Sequence, residues 1–405
     1  MRLLVATIIT ITFFIQCTSK QEIAQWRGSN RDGIYLESNL LTQWSDSGPR
    51  LLWQYDSLGQ GYASAAVISN RVYTIGTVDS ISYIFTFDTD GNLLWRKKLG
   101  LDWIESWPGI RSTPTIYNGF GYVLNGLGDL YCFNADNGDI IWQKNILKVY
   151  NGRNLDWGMS ENLMIEGNYL FCTPGGIDNN VVALNRNTGE TIWTSKGNSD
   201  TAAYCTPILI DVRGKKYFVN QTRNSIISLN AENGEIAWKY PLSNAIHPST
   251  PYYRDGYLFA TDGIANGSMQ LKISEDGRSV SEVWRNSDFN AQYGHTVVLG
   301  NRIYGVCSFK KTFSCIDWNT GKEIYSDSIK VAPITTISDG RMLYCYFASI
   351  GEVKLIKPTE NGFENRGHFT IKGSKKGHFA HPVIKDGRLY VRHENSLFVY
   401  DIAKK

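Results

Sequence analysis

Residues 133–142 read FNADNGDIIW: an apolar strand end, a turn at Asn137-Gly138, and a second strand closing on Trp142. Asn-Gly supplies the positive φ that a tight hairpin needs, so the stretch predicts strand, turn, strand. The same pattern returns along the chain. FDTDGNLLW ends at Trp95, LNRNTGETIW at Trp193 and LNAENGEIAW at Trp238. ISEDGRSVSEVW, ending at Trp284, is a stretched copy, and IDWNTGKEIY puts Tyr325 in the aromatic place. IKPTENGFENRGHF around Gly362 is degenerate. The eighth copy is divided: LFVYDI stands at the end of the chain and LLWQYD, around Trp53, near its start. The aromatics recur every 41 to 51 residues, the period of propeller blades.

Two further alternating runs precede each hairpin. In 114–125, 295–307 and 381–393 they are joined by Asn-Gly, Gly-Asn or Asp-Gly. Each unit is therefore four short strands. Such a sheet cannot bury both faces alone, so units stack, and radial stacking closes a ring. The divided copy predicts how: a strand over 50–56 pairs with the last three strands and removes the free edges. The fold expected is all-β, an eight-bladed β-propeller of four-stranded antiparallel blades over 50–405, with 18–49 as an N-terminal extension.

Composition agrees. The chain has 405 residues, 42% hydrophobic and 13% aromatic, with 38 glycines. A net charge of +3 with mixed signs leaves no electrostatic footprint for nucleic acid, and the basic run at 372–376 reads as a solvated loop. Residues 1–17, MRLLVATIITITFFIQC, have the basic start and short apolar run of a signal peptide. The run stops at Cys17, as in bacterial lipoprotein signals, so lipidation at Cys17 is expected; Phe14-Ile15-Gln16 departs from the usual small residues and leaves plain secretion or an uncleaved anchor open. Of the other cysteines, Cys132, Cys172 and Cys345 lie in apolar strands as buried thiols. Cys307 and Cys315 flank one inter-strand loop, and the sequence leaves open whether they pair as a disulfide or stay as thiols.

Long loops fall on one rim. Links between blades at 99–111, 147–160 and 286–295 are long and aromatic, while first and third connections are tight turns. Function usually sits on such loops. Aligning the units puts Tyr62, Ser64, Arg111, Ser112, Ser160, Glu161, Tyr204, Thr206, His247, Ser249, His295, Thr296, Thr335, His378 and His381 at the starts of innermost strands, around the mouth of the central channel. Tyr62, Arg111, Trp157, Glu161, Tyr204, His247, His295, His378 and His381 are the candidate lining of a site for a small ligand or peptide. Polar residues at solvent-facing strand starts need no ligand, and that reading stands beside it. Four of the six histidines fall in this set, yet they come from three blades with no ligand motif, so hydrogen-bonded structural histidines outweigh a metal site. Trp103, Trp107 and Trp157 form a stacking platform or fold back as plugs between blades.

The Asn/Asp-x-x-Thr/Asn-Gly-x-x-x-Trp repeats, with QWRGSNRDGIY at 25–35, GYASAAV at 61–67 and HPVIKDGRLYVRH at 381–393, resemble the pyrroloquinoline quinone (PQQ)-like β-propeller family over nearly the whole mature chain. The resemblance implies that Trp53, Trp95, Trp142, Trp193, Trp238, Trp284 and Tyr325 dock each blade onto its neighbour. One branch of the family, the quinoprotein dehydrogenases, holds PQQ and calcium at the mouth beside adjacent cysteines. This chain has no Cys-Cys pair and only Glu161-Asn162 near the mouth, so neither PQQ nor calcium is expected. The other branch, the BamB-type lipoproteins of the outer-membrane β-barrel assembly machinery, binds partners without chemistry. The expected function is a non-catalytic envelope scaffold for protein or glycan, lipid-anchored at the outer membrane; the alternative is a small-molecule-binding or oxidoreductase-like protein with its site at the mouth.

Overall fold

The computed structural model describes residues 22–263, 266–291, 296–330, 334–373 and 379–405. They form eight antiparallel sheets. Blade 1 consists of Ala66–Ile68, Arg71–Val78, Ile81–Asp88 and Leu93–Leu101, innermost strand first. Blades 2 to 7 span 115–145, 164–195, 208–241, 252–286, 297–328 and 334–370. Blade 8 takes three strands from 383–401 and its outermost from Arg50–Tyr55. That strand pairs antiparallel from Arg50↔Asp401 to Tyr55↔Leu397, with one register shift between Leu51 and Trp53. The ring is closed as the divided repeat predicts. Its core is eight apolar clusters, each drawn from two adjacent blades, so every blade face is buried by its neighbour.

The aromatics reach the neighbour because of a repeated bulge. In all eight blades the outermost pairing shifts register close to the aromatic position, as between Ile140 and Trp142 or Leu51 and Trp53. A bulge re-aims the following side chain and twists an edge strand away from unwanted pairing. Trp142 then lies flat on the turn of blade 3: a Cβ on Gly189, at φ +72°, would fall 2.9 Å from its ring. Its indole N–H donates to Arg186 O at 3.0 Å. Trp53, Trp193, Trp284 and Tyr325 bond equivalent carbonyls at 2.9–3.1 Å. Trp95 packs on Gly138, but Tyr73 and Arg71 already donate to Ala135 O, and its N–H has no partner among the described residues. In the stretched copy the place over Gly277 belongs to Tyr217, and Trp238 is buried among Leu258, Leu271 and Ile273 instead.

Blade 7 has no repeat aromatic: His368 pairs with Lys354 where other blades place theirs. Trp44, from the segment before the ring, fills the blade 7–8 core, 5.4 Å from the Phe369 ring and 5.9 Å from Tyr344.

Residues 22–49 are thus an integral strap. Ile23–Ala24 adds a fifth strand to blade 2, with Ile23 opposite Tyr117 at the short-turn end. The chain climbs the channel to Trp26 and turns back through left-handed backbone at Arg27 and Gly28. It descends past Arg31 to pair Ile34 with Ser338, then Leu40 with Ala403. Cys307 and Cys315, which flank one loop, do not form a disulfide. Register sets Cys307 opposite Thr312 and Cys315 opposite Tyr304, so they do not face each other, and both are free buried thiols.

Candidate functional site

The strap's two arginines fill the channel. Arg27 donates to Thr296 O at 2.6 Å, Thr336 O at 3.1 Å and Asp32 O at 2.9 Å. It also meets His381 Nδ1 at 3.1 Å. A guanidinium only donates, so this nitrogen accepts and the imidazole proton sits on Nε2. Arg31 donates to the carbonyls of Asn162 and Leu163 and twice to Gln25 Oε1. Burial lowers Arg27 to about 10 and Arg31 to about 9, so both stay charged at neutral pH. One hairpin thereby ties blades 3, 6, 7 and 8 through their innermost strands.

Above the plug lies a cavity of about 440 Å³. Tyr62, Arg111, Trp157, Tyr204, His381 and Trp107 all line it, together with Trp26 as floor and Phe379. The Trp157 and Tyr204 rings lie 5.5 Å apart, and Phe379 sits 5.6 Å from Tyr62 and 5.7 Å from Trp107. Trp26 meets His381 edge-on at 5.3 Å. The Arg111 guanidinium lies 5.6 Å from the Tyr62 ring and donates to Gly109 O and Trp107 O. Burial lowers its pKa, partly offset by Tyr62 and Asp102. Trp107 and Tyr204 hold φ of +56° and +70°, a conformation that costs bulky residues on the order of 1–3 kcal/mol and clusters at functional sites.

Three candidates lie elsewhere, for physical reasons. Glu161 falls between Ser160 and Asn162, which line the cavity; side chains alternate along extended chain, so it points into the blade. There it accepts from the Thr173 N–H at 2.8 Å and hydroxyl at 2.9 Å. His247 lies likewise between the lining residues Ile246 and Pro248, and its Nε2 donates to Asn244 O at 2.7 Å, a structural role. Trp103 is a plug, not a platform: its ring packs on Gly126 and Gly158 and its N–H bonds Ser106 O. Cys17, His295 and His378 lie outside the described residues. The repeat alignment does not reach Trp26, Arg27, Arg31 and Phe379; the signal available was a pair of arginines among the turn formers of 25–33.

Burial pushes Glu161 up to about 7, against the Thr173 bonds and the nearby Arg31 charge. Its folded pKa exceeds its unfolded one, so its stabilising share is complete below about 4.5 and is lost as pH rises through 7. The span corresponds to roughly 3 kcal/mol at most. Glu161→Gln is therefore expected to be more stable than the parent at pH 8 and nearly equal at pH 4.5, read by thermal melts across that range. A parent–variant difference independent of pH would contradict it.

The lining does not fit PQQ with calcium. Among the described residues it offers one cation, Arg111, already bonded to loop carbonyls, and no carboxylate. Its one side-chain amide, Asn162, is engaged by Thr113 N–H and Thr206. No group of three His, Cys, Asp or Glu among the described residues can hold a metal.

The family profile described as outer membrane protein assembly factor BamB matches residues 26–156 and 80–327. BamB of Kangiella koreensis is 28% identical over 155 residues, 36% of this chain and 36% of that protein. BamB of Yersinia pestis is 25% identical over 244 residues, 58% of this chain and 56% of that protein. The matches thus span about half or less of these relatives' length. The quinohemoprotein alcohol dehydrogenase of Comamonas testosteroni superposes with a TM-score of 0.69 at 12% identity, over 93% of this chain and 80% of that one, which shows the shared fold alone. With a family match running through most of the ring, the chain belongs to the family of the outer membrane protein assembly factor BamB, the PQQ-like β-propellers.

Proposed function

We propose that the protein is a non-catalytic scaffold of the bacterial envelope, tethered by a lipid at Cys17, that holds a protein partner on its long-loop face during outer-membrane protein assembly. One observation carries this reading. Large apolar residues stand exposed on that rim: Leu101, Ile104, Trp107, Ile177, Phe309 and Ile350, between 42% and 64% exposed. Trp107 among them also lines the aromatic cavity, the arrangement of an interface with a central anchor and a pocket. The named relatives are assembly factors, which supports this class of partner.

The test is co-purification with outer-membrane assembly proteins from native membranes. The double change Ile104→Asp with Trp107→Ala is expected to cut recovery about tenfold or more, as loss of an anchor worth over ~1.4 kcal/mol does. Val283→Asp, on the outer circumference, is the control. Recovery unchanged in the rim variant would overturn the reading. A second reading, a small ligand in the cavity, is favoured by its volume of about 440 Å³, within the range of ligand pockets. Titration with PQQ and calcium, followed by absorbance and calorimetry, is expected to show no binding; tight binding with dye-linked alcohol oxidation would overturn both the misfit of the lining and the scaffold.

A further inference from the structure

The strap fixes where the chain before it leaves the ring. Ile23 pairs with Tyr117, the last residue of an innermost strand, beside the tight turn at Asn118-Gly119. Glu22 confirms the end of the channel by an ion pair with Lys385, the last residue of the innermost strand of blade 8, beside the corresponding turn at Asp386-Gly387. Both turns belong to the short-turn face. The mouth lies at the opposite end, where Trp26 is the cavity floor.

Length limits the tether. Glu22 lies five residue steps beyond Cys17, and extended chain spans at most about 3.6 Å per step, so the tether reaches about 18 Å. A six-residue strand such as Arg50–Tyr55 is itself about 20 Å tall. A lipid on Cys17 cannot pass up the outside of the ring to the mouth rim. An apolar anchor ending at the same residue meets the same limit.

We propose that the short-turn face is the membrane-facing surface of this protein, and that the mouth with its apolar rim is held pointing away from the bilayer. This rests on the proposed tether at Cys17. It assigns a lipid surface to the face opposite the partner face. A partner is therefore met on the aqueous side, about one propeller height or more from the headgroups.

The orientation is measurable with the full-length, membrane-extracted protein. The cysteines among the described residues are all buried, so a fluorophore goes to an introduced one. Asn168→Cys and Lys215→Cys place it on short turns; Ile104→Cys and Ile177→Cys place it on the mouth rim. Each is reconstituted into phosphatidylethanolamine–phosphatidylglycerol vesicles carrying a headgroup nitroxide. Flotation and the mass of the N-terminal peptide establish the tether independently. The expected result is flotation with several-fold stronger quenching at 168 and 215 than at 104 and 177. Flotation with rim probes quenched equally or more overturns the orientation and leaves the tether standing. Failure to float, with no lipid on Cys17, overturns both.

Discussion

Arg27→Met is expected to release the strap from the channel while leaving the ring folded. The methionine keeps the apolar stem but strips donors from Thr296 O, Thr336 O, Asp32 O and His381 Nδ1. Each buried acceptor left alone costs about 1–3 kcal/mol, and undocking lets water reach them. The combined penalty is roughly 5 kcal/mol, more than a thousandfold in the undocked population. Against this the hairpin keeps the Arg31 bonds to Asn162 and Leu163, the short Ile23–Ala24 pairing and isolated bridges. Limited proteolysis should cut within 25–36 far faster than in the parent, with the β-sheet circular dichroism unchanged. Because Trp26 floors the cavity, tryptophan emission should move to the red as well. Arg27→Lys should fall between: one ammonium on a flexible stem cannot reproduce the planar fork that reaches several carbonyls at once. Parent-like protease resistance and emission in Arg27→Met would show that the plug does not depend on this cation.

Trp44→Ala is expected to cost as much as losing a repeat tryptophan. Its ring is 5% exposed and fills the blade 7–8 core between Tyr344 and Phe369. Removing a buried tryptophan ring leaves a cavity and costs about 3–5 kcal/mol. The melting temperature should drop by an amount close to that of Trp193→Ala, measured side by side. A fall within ~1 kcal/mol of the parent would mean that blades 7 and 8 hold without a docking aromatic. The comparison is informative because Trp44 belongs to no repeat. It replaces in space what His368 fails to supply in sequence.

That difference separates the legible parts of the sequence from the opaque ones. Blade number, closure and the docking tryptophans follow from local chemistry: a turn glycine, a bulge and an aromatic at fixed spacing. Most of the mouth set follows too, because strand starts can be aligned. Glu161 and His247 miss the cavity by one residue of pleat, since alignment gives the level along the channel but not the side. Cys307 and Cys315 show the same limit, where the loop suggests proximity and the register sets them apart. The strap is opaque because its partners are distant. Arg27 reaches Thr336 across 309 residues, and nothing in 25–33 repeats. Taken alone, two arginines among Gly, Ser, Asn and Asp describe a solvated loop.

Closure by Arg50–Tyr55 also sets an order of events in time. Arg50 finds Asp401 only across 351 residues, so a segment made among the first is paired among the last. Synthesis runs from the N-terminus, and until the final blade emerges that strand lacks its partner, while the strap has blades 2 and 3 but not its contacts with blades 7 and 8. Such long-range pairing is slow and exposes an unpaired edge while it waits. A chain stopped short of residue 397 keeps seven blades' worth of sequence but no clasp and no firm seat for Trp44. The ring therefore reports its own completion: only a full-length polypeptide can lock, and an unfinished one presents a sticky end to whatever holdase or protease patrols the compartment.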